Sequence, residues 1–157
     1  MTAAADGGVT VFMVGMRINR PLAVRSWWPV FTAMPRMLRE LSGDRESGML
    51  GFRLLNGGPR VLYVVQYWSS HEKLTAYASA QDREHRPAWT AFNRRARRAA
   101  GAVGLWHETY VVPAGAHESV YVSMPPFGLG AATGVIPVGR TGERAAARLR
   151  LGPSPQG

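Results

Sequence analysis

The feature that most constrains this chain is the order in which its hydrophobic periodicity changes: period two, then three-to-four, then two in a pair of stretches, then three-to-four, then two again. Residues 9–18 alternate, with Phe12, Val14, Met16 and Ile18 on one side and Val11, Met13, Gly15 and Arg17 on the other, which predicts a strand. From Trp27 onward, Trp27, Phe31, Met34, Leu38 and Leu41 recur at threes and fours with Val30 and Met37 beside them, the pattern of an amphipathic helix stopped by Gly43. Pro29 suits the first turn of that helix, and Pro35 removes a backbone bond and bends it. Gly48 to Leu55 and Arg60 to Trp68 read as two strands joined through Asn56-Gly57-Gly58-Pro59, whose Asn-Gly step favours a tight hairpin. Ser69-Ser70-His71-Glu72 has capping-box spacing, with the Ser69 hydroxyl expected to accept from the Glu72 backbone N–H. The helix that follows turns Leu74, Tyr77 and Ala78 inward. Pro87 opens a second helical piece with Trp89, Phe92, Ala96 and Ala99 on one side, ended by Gly101.

The last alternating stretch carries a polar pair. Leu105, His107, Thr109 and Val111 share one side, and Trp106, Glu108, Tyr110 and Val112 the other, so His107 and Glu108 point apart and cannot form a dyad within one chain. The expectation is that His107 faces an enclosed barrel while Glu108 neutralises an arginine on the helix side. Beyond Pro113 and Gly115, residues 118–124 alternate again, and Met124 to Gly130 is expected to be a structural strap.

Strand, helix, strand, strand, helix, strand is the ferredoxin-like βαββαβ order, an α+β fold with an antiparallel sheet and helices on one face. Large or apolar residues occupy both faces of the first, third and fourth strands, so the uncovered face calls for a second copy. Sheet packed on sheet would make a homodimer, a dimeric α+β barrel enclosing a cavity. The 118–124 strand is an extra one, pairing across the dimer or along an edge. The expected organisation is a flexible N-terminus (1–8), one domain (9–124) and a Pro/Gly-rich C-terminal extension (125–157).

The chain has 157 residues with 46% apolar content, enough for one core, and no cysteine, which removes disulfides, thiolate metal sites and a cysteine nucleophile. The N-terminus lacks a basic region followed by an apolar run, and no segment approaches the roughly 20 apolar residues of a membrane span. A soluble, cytoplasmic protein is expected. The net charge of +9 raises nucleic acid as a partner. Lys73 is the sole lysine among the basic residues, however, which reads as compositional bias toward arginine. Arg94, Arg95, Arg97 and Arg98 have no interleaved aromatic to stack on bases, so nucleic acid is not expected. No HExxH, no two-His-one-carboxylate set, no GxGxxG and no P-loop follows the expected elements, so neither a non-haem metal nor a nucleotide cofactor is indicated.

Several motifs carry a resemblance. The Trp68-Ser69-Ser70 turn and His85-Arg86-Pro87-Ala88-Trp89 look like the antibiotic-biosynthesis-monooxygenase superfamily of dimeric α+β barrels. More closely, residues 15–21 (GMRINRP), 67–74 (YWSSHEKL), 106–116 (WHETYVVPAGA) and 124–130 (MPPFGLG) resemble the DUF4188 group of monooxygenase-like proteins, over roughly residues 10–140. The resemblance implies a monooxygenase-like tailoring enzyme of secondary metabolism that acts on a hydrophobic organic substrate in a barrel cavity, without metal or flavin in some members. Haem enzymes similar to aldoxime dehydratases, and members without known activity, share the fold, so haem b and a non-catalytic binding dimer are the alternatives.

Trp68 matches the tryptophan of the W-x-S turn that lines the cavity in quinone-forming members, and its indole N–H can hold a substrate carbonyl or serve only as core. Those members carry an asparagine four residues earlier, where this chain has Val64. Gln66, two residues before Trp68 and on its face, can supply an amide instead. His85 can act as a general base on a phenolic or enolic proton, or cap the helix that follows. His107 can be the base, a substrate partner, a haem axial ligand, or a buried histidine bonded to a carbonyl or carboxylate. Arg17 can pair with Glu108 or hold an anionic group, and Trp28 and Trp89 complete the expected substrate-binding set. His71 and His117 are assigned to the surface.

Overall fold

The computed structural model describes residues 1–79, 94–95, 97–99, 101–140 and 149. Its centre is a four-stranded antiparallel sheet in the order β3-β4-β2-β5, formed by β2 (Val9–Ile18), β3 (Met49–Gly58), β4 (Val61–Trp68) and β5 (Val103–Val112). With α1 (Val24–Gly43) between β2 and β3 and α2 (His71–Ser79) after β4, this is the ferredoxin-like order. Residues 94–95 and 97–98 are helical ahead of β5. Pro87, Trp89 and Phe92 lie outside the described residues.

Alternation decides which side of the sheet each residue meets. Thr10, Phe12, Val14 and Met16 of β2 pair across β4 with Trp68, Gln66, Val64 and Leu62, and across β5 with Val111, Thr109, His107 and Leu105. Against this face α1 buries Val30, Ala33, Met34, Met37 and Leu38 on Val14, Met16 and Val64, and Ala99 and Val103 join the cluster. Each buried valine, leucine or methionine among them contributes about 1.5–3 kcal/mol through burial. A second cluster joins Leu41 and Trp68 to Leu74 and Tyr77 of α2.

Three local expectations are corrected. The first helix begins at Val24, three residues before its apolar stripe, so Pro29 lies inside it together with Pro35. Between the two prolines the Thr32 hydroxyl donates to the Trp28 carbonyl at 3.1 Å, a back-bond of the kind that bends helices. The hairpin turns at Pro59–Arg60 rather than at Asn56-Gly57. Asn56 Oδ1 accepts from the Gly58 N–H at 2.8 Å and the register shifts between Asn56 and Gly58, a bulge that uses up the Asn-Gly step before the turn. Finally, α2 is capped by Ser70, whose hydroxyl accepts from the Lys73 N–H at 3.2 Å, one residue later than the expected Ser69 cap.

Residues 118–124 do not form a strand. The extra strand of the C-terminal extension is β6 (Val135–Ile136), which pairs antiparallel with β1 (Thr2–Ala3). Within the N-terminal stretch expected to be flexible, the Met1 carbonyl accepts from the Tyr121 N–H at 2.8 Å and the Ala3 N–H donates to the Ser119 hydroxyl at 2.9 Å. Tyr121 thus spends its backbone bonds, and Ser119 its hydroxyl, on the N-terminus instead of a sheet edge. Downstream, the Tyr121 hydroxyl donates to the Phe127 carbonyl at 2.7 Å and accepts from the Gly130 N–H at 2.8 Å. These bonds set the strap beside α3 (Leu129–Thr133), which lies on the side of the sheet away from α1. There an added Cβ at Gly51 would sit 3.0 Å from Ala132, and Phe127 lies under the Arg53 guanidinium at 4.9 Å.

Candidate functional site

Between the helix-covered side of the sheet and α2 lies a cavity of about 380 Å³. Its walls are apolar: Phe12 and Val14 from β2, Leu105 from β5, and Leu74, Tyr77 and Ala78 from α2. The polar groups that reach it are Gln66, His71, Thr75, His107 and Thr109. This is a mostly apolar lining with few polar groups, the composition that suits a small organic molecule.

Gln66 is the best fixed of these. It is 2% exposed and accepts from the Trp68 indole N–H at 3.0 Å, while Trp68 is wholly buried and its ring sits 5.5 Å from that of Tyr77. Indole N–H is a donor only, so it selects the amide oxygen of Gln66 and leaves the amide NH2 as the free-facing donor. Strand alternation places residues 66 and 68 on one face and makes the pairing possible. Trp68 itself does not line the cavity; its donor is spent on Gln66, which corrects the expectation that the indole meets substrate directly.

His107 does reach the cavity, with its ring 5.8 Å from that of Phe12 and tilted by 44°. It is exposed rather than buried, and among the described residues nothing hydrogen-bonds it, so the buried, carboxylate-satisfied histidine is not what is found. The cavity it meets lies under α2, not between two sheets. Glu108 takes the opposite, open side, where its carboxylate accepts from the Tyr110 hydroxyl at 2.6 Å. This reverses the expected placement, because the helices cover the His107 side. Hydrogen bonding to the Glu108 carboxylate pushes the Tyr110 phenol above its ordinary range.

Arg17 is exposed at the end of β2, paired in register with Gly104 rather than near Glu108, and donates to Asn19 Oδ1 at 2.8 Å. Trp28 is 52% exposed on α1 and does not line the cavity. His85 and Trp89 lie outside the described residues. The residue missed by sequence reasoning is His71: exposed in the first turn of α2, it lines the cavity, and its Nε2 lies 3.3 Å from the Thr75 hydroxyl. Its four-residue spacing to Thr75 was a visible signal that the two share a helix face. At the start of the same helix, the Glu72 carboxyl is held below its ordinary range by its own backbone N–H and the Ser70 hydroxyl.

Haem carries two propionates that want cationic partners, and among the described residues the cavity walls hold no arginine or lysine. Beside His107, then, none of the described lining residues offers those propionates a cationic partner. Nor do the described residues contain a group of three or more His, Cys, Asp or Glu arranged for a metal ion.

A family model described as monooxygenase af470-like matches residues 9–129, spanning the four-stranded sheet and nearly all of the strap. The chain belongs to that family. Monooxygenase af470 of Aspergillus fumigatus is 29% identical over 133 residues, an alignment that covers 79% of this chain and 46% of the relative. The chain thus spans about half the length of that family member. Among solved structures, SnoaB, a cofactor-independent oxygenase from Streptomyces nogalater, aligns with a TM-score of 0.42 at 12% identity, covering 77% of this chain and 99% of SnoaB. An antibiotic biosynthesis monooxygenase aligns with a TM-score of 0.42 at 13% identity, covering 66% of this chain and 97% of that one. Among the described residues no helix is long and apolar enough to cross a membrane.

Proposed function

We propose that the chain is a monooxygenase-like tailoring enzyme of secondary metabolism acting on a hydrophobic organic substrate in the cavity beneath α2. The observation that carries this reading is the pinned amide: an apolar-lined cavity in which the Trp68 indole N–H fixes the Gln66 amide oxygen, with the His107 imidazole across β2 on β5. A phenol or enol suits such a site. The Gln66 amide would hold the oxygen as negative charge develops on it, and His107 would take the proton, leaving an electron-rich anion able to react with dioxygen. Trp68 acts through Gln66 and is a positioning residue. His71 would close the α2 side, and His85 is retained as a second candidate base. The chemistry needs no resident cofactor in this reading.

We also propose a homodimer formed across the open side of the sheet, where Tyr63, Val65 and Trp106 are half-buried and Tyr110 is 49% exposed. A cytoplasmic location is part of the same reading.

The deciding experiment is oxygen uptake with a panel of hydrophobic polycyclic phenols and enols. His107→Ala should lower turnover by roughly 10²–10⁴-fold, the usual contribution of a general base. Gln66→Leu should lose a comparable part with the fold retained. Unchanged turnover in His107→Ala removes the histidine from the mechanism. A Soret band of defined stoichiometry in the purified protein would replace the cofactor-free reading.

A further inference from the structure

The arginines are not spread evenly. Residues 7–39, 47–71 and 85–107 contain no aspartate or glutamate. The end of the sheet where β2 runs into α1 gathers Arg17, Arg20, Arg25 and Arg60, and the helical residues Arg94, Arg95, Arg97 and Arg98 arrive at the same end. Backbone bonds fix this gathering: Ile18 N–H donates to the Arg60 carbonyl at 2.8 Å, and the Asn19 and Arg20 N–H groups both donate to the Ala102 carbonyl, at 2.9 and 3.3 Å. Asp44, Glu46 and Glu72 sit at the opposite end, where α1 stops and α2 starts. Among the described residues no carboxylate pairs with any of these eight arginines.

Within the basic end projects an apolar knob. Leu22 is 97% exposed, Val24 48% and Trp28 52%. Val24 and Trp28 are one helical turn apart on α1 and share a stripe. The knob is held stiffly, since Ala23 N–H donates to the Arg20 carbonyl at 3.0 Å, and the Trp27 indole donates to the Pro21 carbonyl at 2.9 Å. Trp28 stacks on Phe31 with centroids 5.7 Å apart and planes 19° apart. Single exposed apolar residues are ordinary, but two aliphatics and an indole displayed together among arginines that no carboxylate pairs with among the described residues are not.

We infer that this end of the molecule docks on an anionic lipid surface. Leu22, Val24 and Trp28 enter the headgroup boundary, and the surrounding arginines meet lipid phosphates. Charge complementarity selects the negative surface, and the aliphatic pair selects lipid over nucleic acid: a nucleic-acid groove rewards stacking and hydrogen bonding, whereas Leu22 and Val24 gain only by leaving water. Tryptophan beside arginine is also the usual composition of a membrane interface. The inference stands apart from the cavity and from the oxygenase reading.

The test is cosedimentation of the full chain with vesicles of phosphatidylcholine alone and of phosphatidylcholine mixed with phosphatidylglycerol, with short duplex DNA as competitor. Binding is expected to the mixed vesicles only, and to weaken with salt. Arg20→Gln and Arg25→Gln should each weaken it about fivefold, and Leu22→Ser roughly tenfold. Brominated lipid should quench tryptophan emission, and Trp28→Phe should remove that quenching while leaving circular dichroism unchanged. Leu22→Ser, at a fully exposed turn, keeps the test valid if Trp28→Phe perturbs α1. Absence of binding to mixed vesicles overturns the inference, as does full binding by Leu22→Ser and by the arginine variants. Displacement of the vesicles by duplex DNA would assign the basic end to nucleic acid instead.

Discussion

Two same-face pairs, on the β4 and β5 strands that flank β2, share one geometry and differ in almost everything else. On β4, the Trp68 indole donates to Gln66 two residues earlier at 3.0 Å, both side chains buried beneath α2. On β5, the Tyr110 hydroxyl donates to Glu108 two residues earlier at 2.6 Å, both exposed on the open side. The shorter bond is the less consequential one, because water competes for both partners. The longer one satisfies the N–H of a fully buried indole, so breaking it strands a polar group. Burial, not bond length, sets what such a pair contributes.

The largest expected effect comes from breaking the buried pair. Trp68→Ala should destabilise the fold by about 3–5 kcal/mol in denaturant unfolding, since it opens a cavity against Leu41, Leu74 and Tyr77. Trp68→Phe separates packing from hydrogen bonding: it should remove about 1–3 kcal/mol and weaken ligand binding through the unpinned Gln66. Equal stability of Trp68→Phe and wild type would show that the indole N–H contributes nothing.

A smaller effect is expected on the open side. Gly15 lies beneath Trp106, and an added Cβ would come within 2.5 Å of the indole nitrogen and 2.8 Å of the Tyr63 Cβ. Gly15→Ala should therefore destabilise by about 1–3 kcal/mol and shift tryptophan emission as Trp106 is displaced. An unchanged emission spectrum would mean that Trp106 does not pack over Gly15.

Smallest is the exposed pair. Because the bond to Glu108 raises the Tyr110 phenol, its contribution to stability is fully present below the ordinary tyrosine range and is lost as pH rises through the raised folded value. Glu108→Gln should move Tyr110 ionisation, followed by phenolate absorbance, back toward ordinary tyrosine while lowering the unfolding midpoint at neutral pH only slightly, because the pair is exposed. A titration identical to wild type would break the comparison.

Much of this was legible in the chain. The periods assigned β2, β3, β4 and β5 and the first helix, and period two put Gln66 with Trp68 and set His107 against Glu108. Legibility failed where two local signals competed. Asn56-Gly57 looked like the turn but became a bulge, because Asn56 caps Gly58 and the chain turns at Pro59–Arg60. Residues 118–124 alternate like a strand, yet Ser119 and Tyr121 bond to the N-terminus, a pairing across more than a hundred residues that no local pattern encodes. His71 looked like a surface residue because exposure and cavity lining are both compatible with a first helical turn.

By itself, the sequence determined that His107 and Glu108 must part company, because successive residues of a strand project to opposite faces. It also determined the order of elements, because hydrophobic period follows backbone geometry. Only the tertiary structure decided which of the pair meets the cavity. That choice depends on which side the helices cover, and a strand with apolar residues on both faces carries no mark of it. The same holds for the arginines: their number is written in the composition, but their meeting around Leu22 and Trp28 depends on three distant segments being bonded at one end of the sheet.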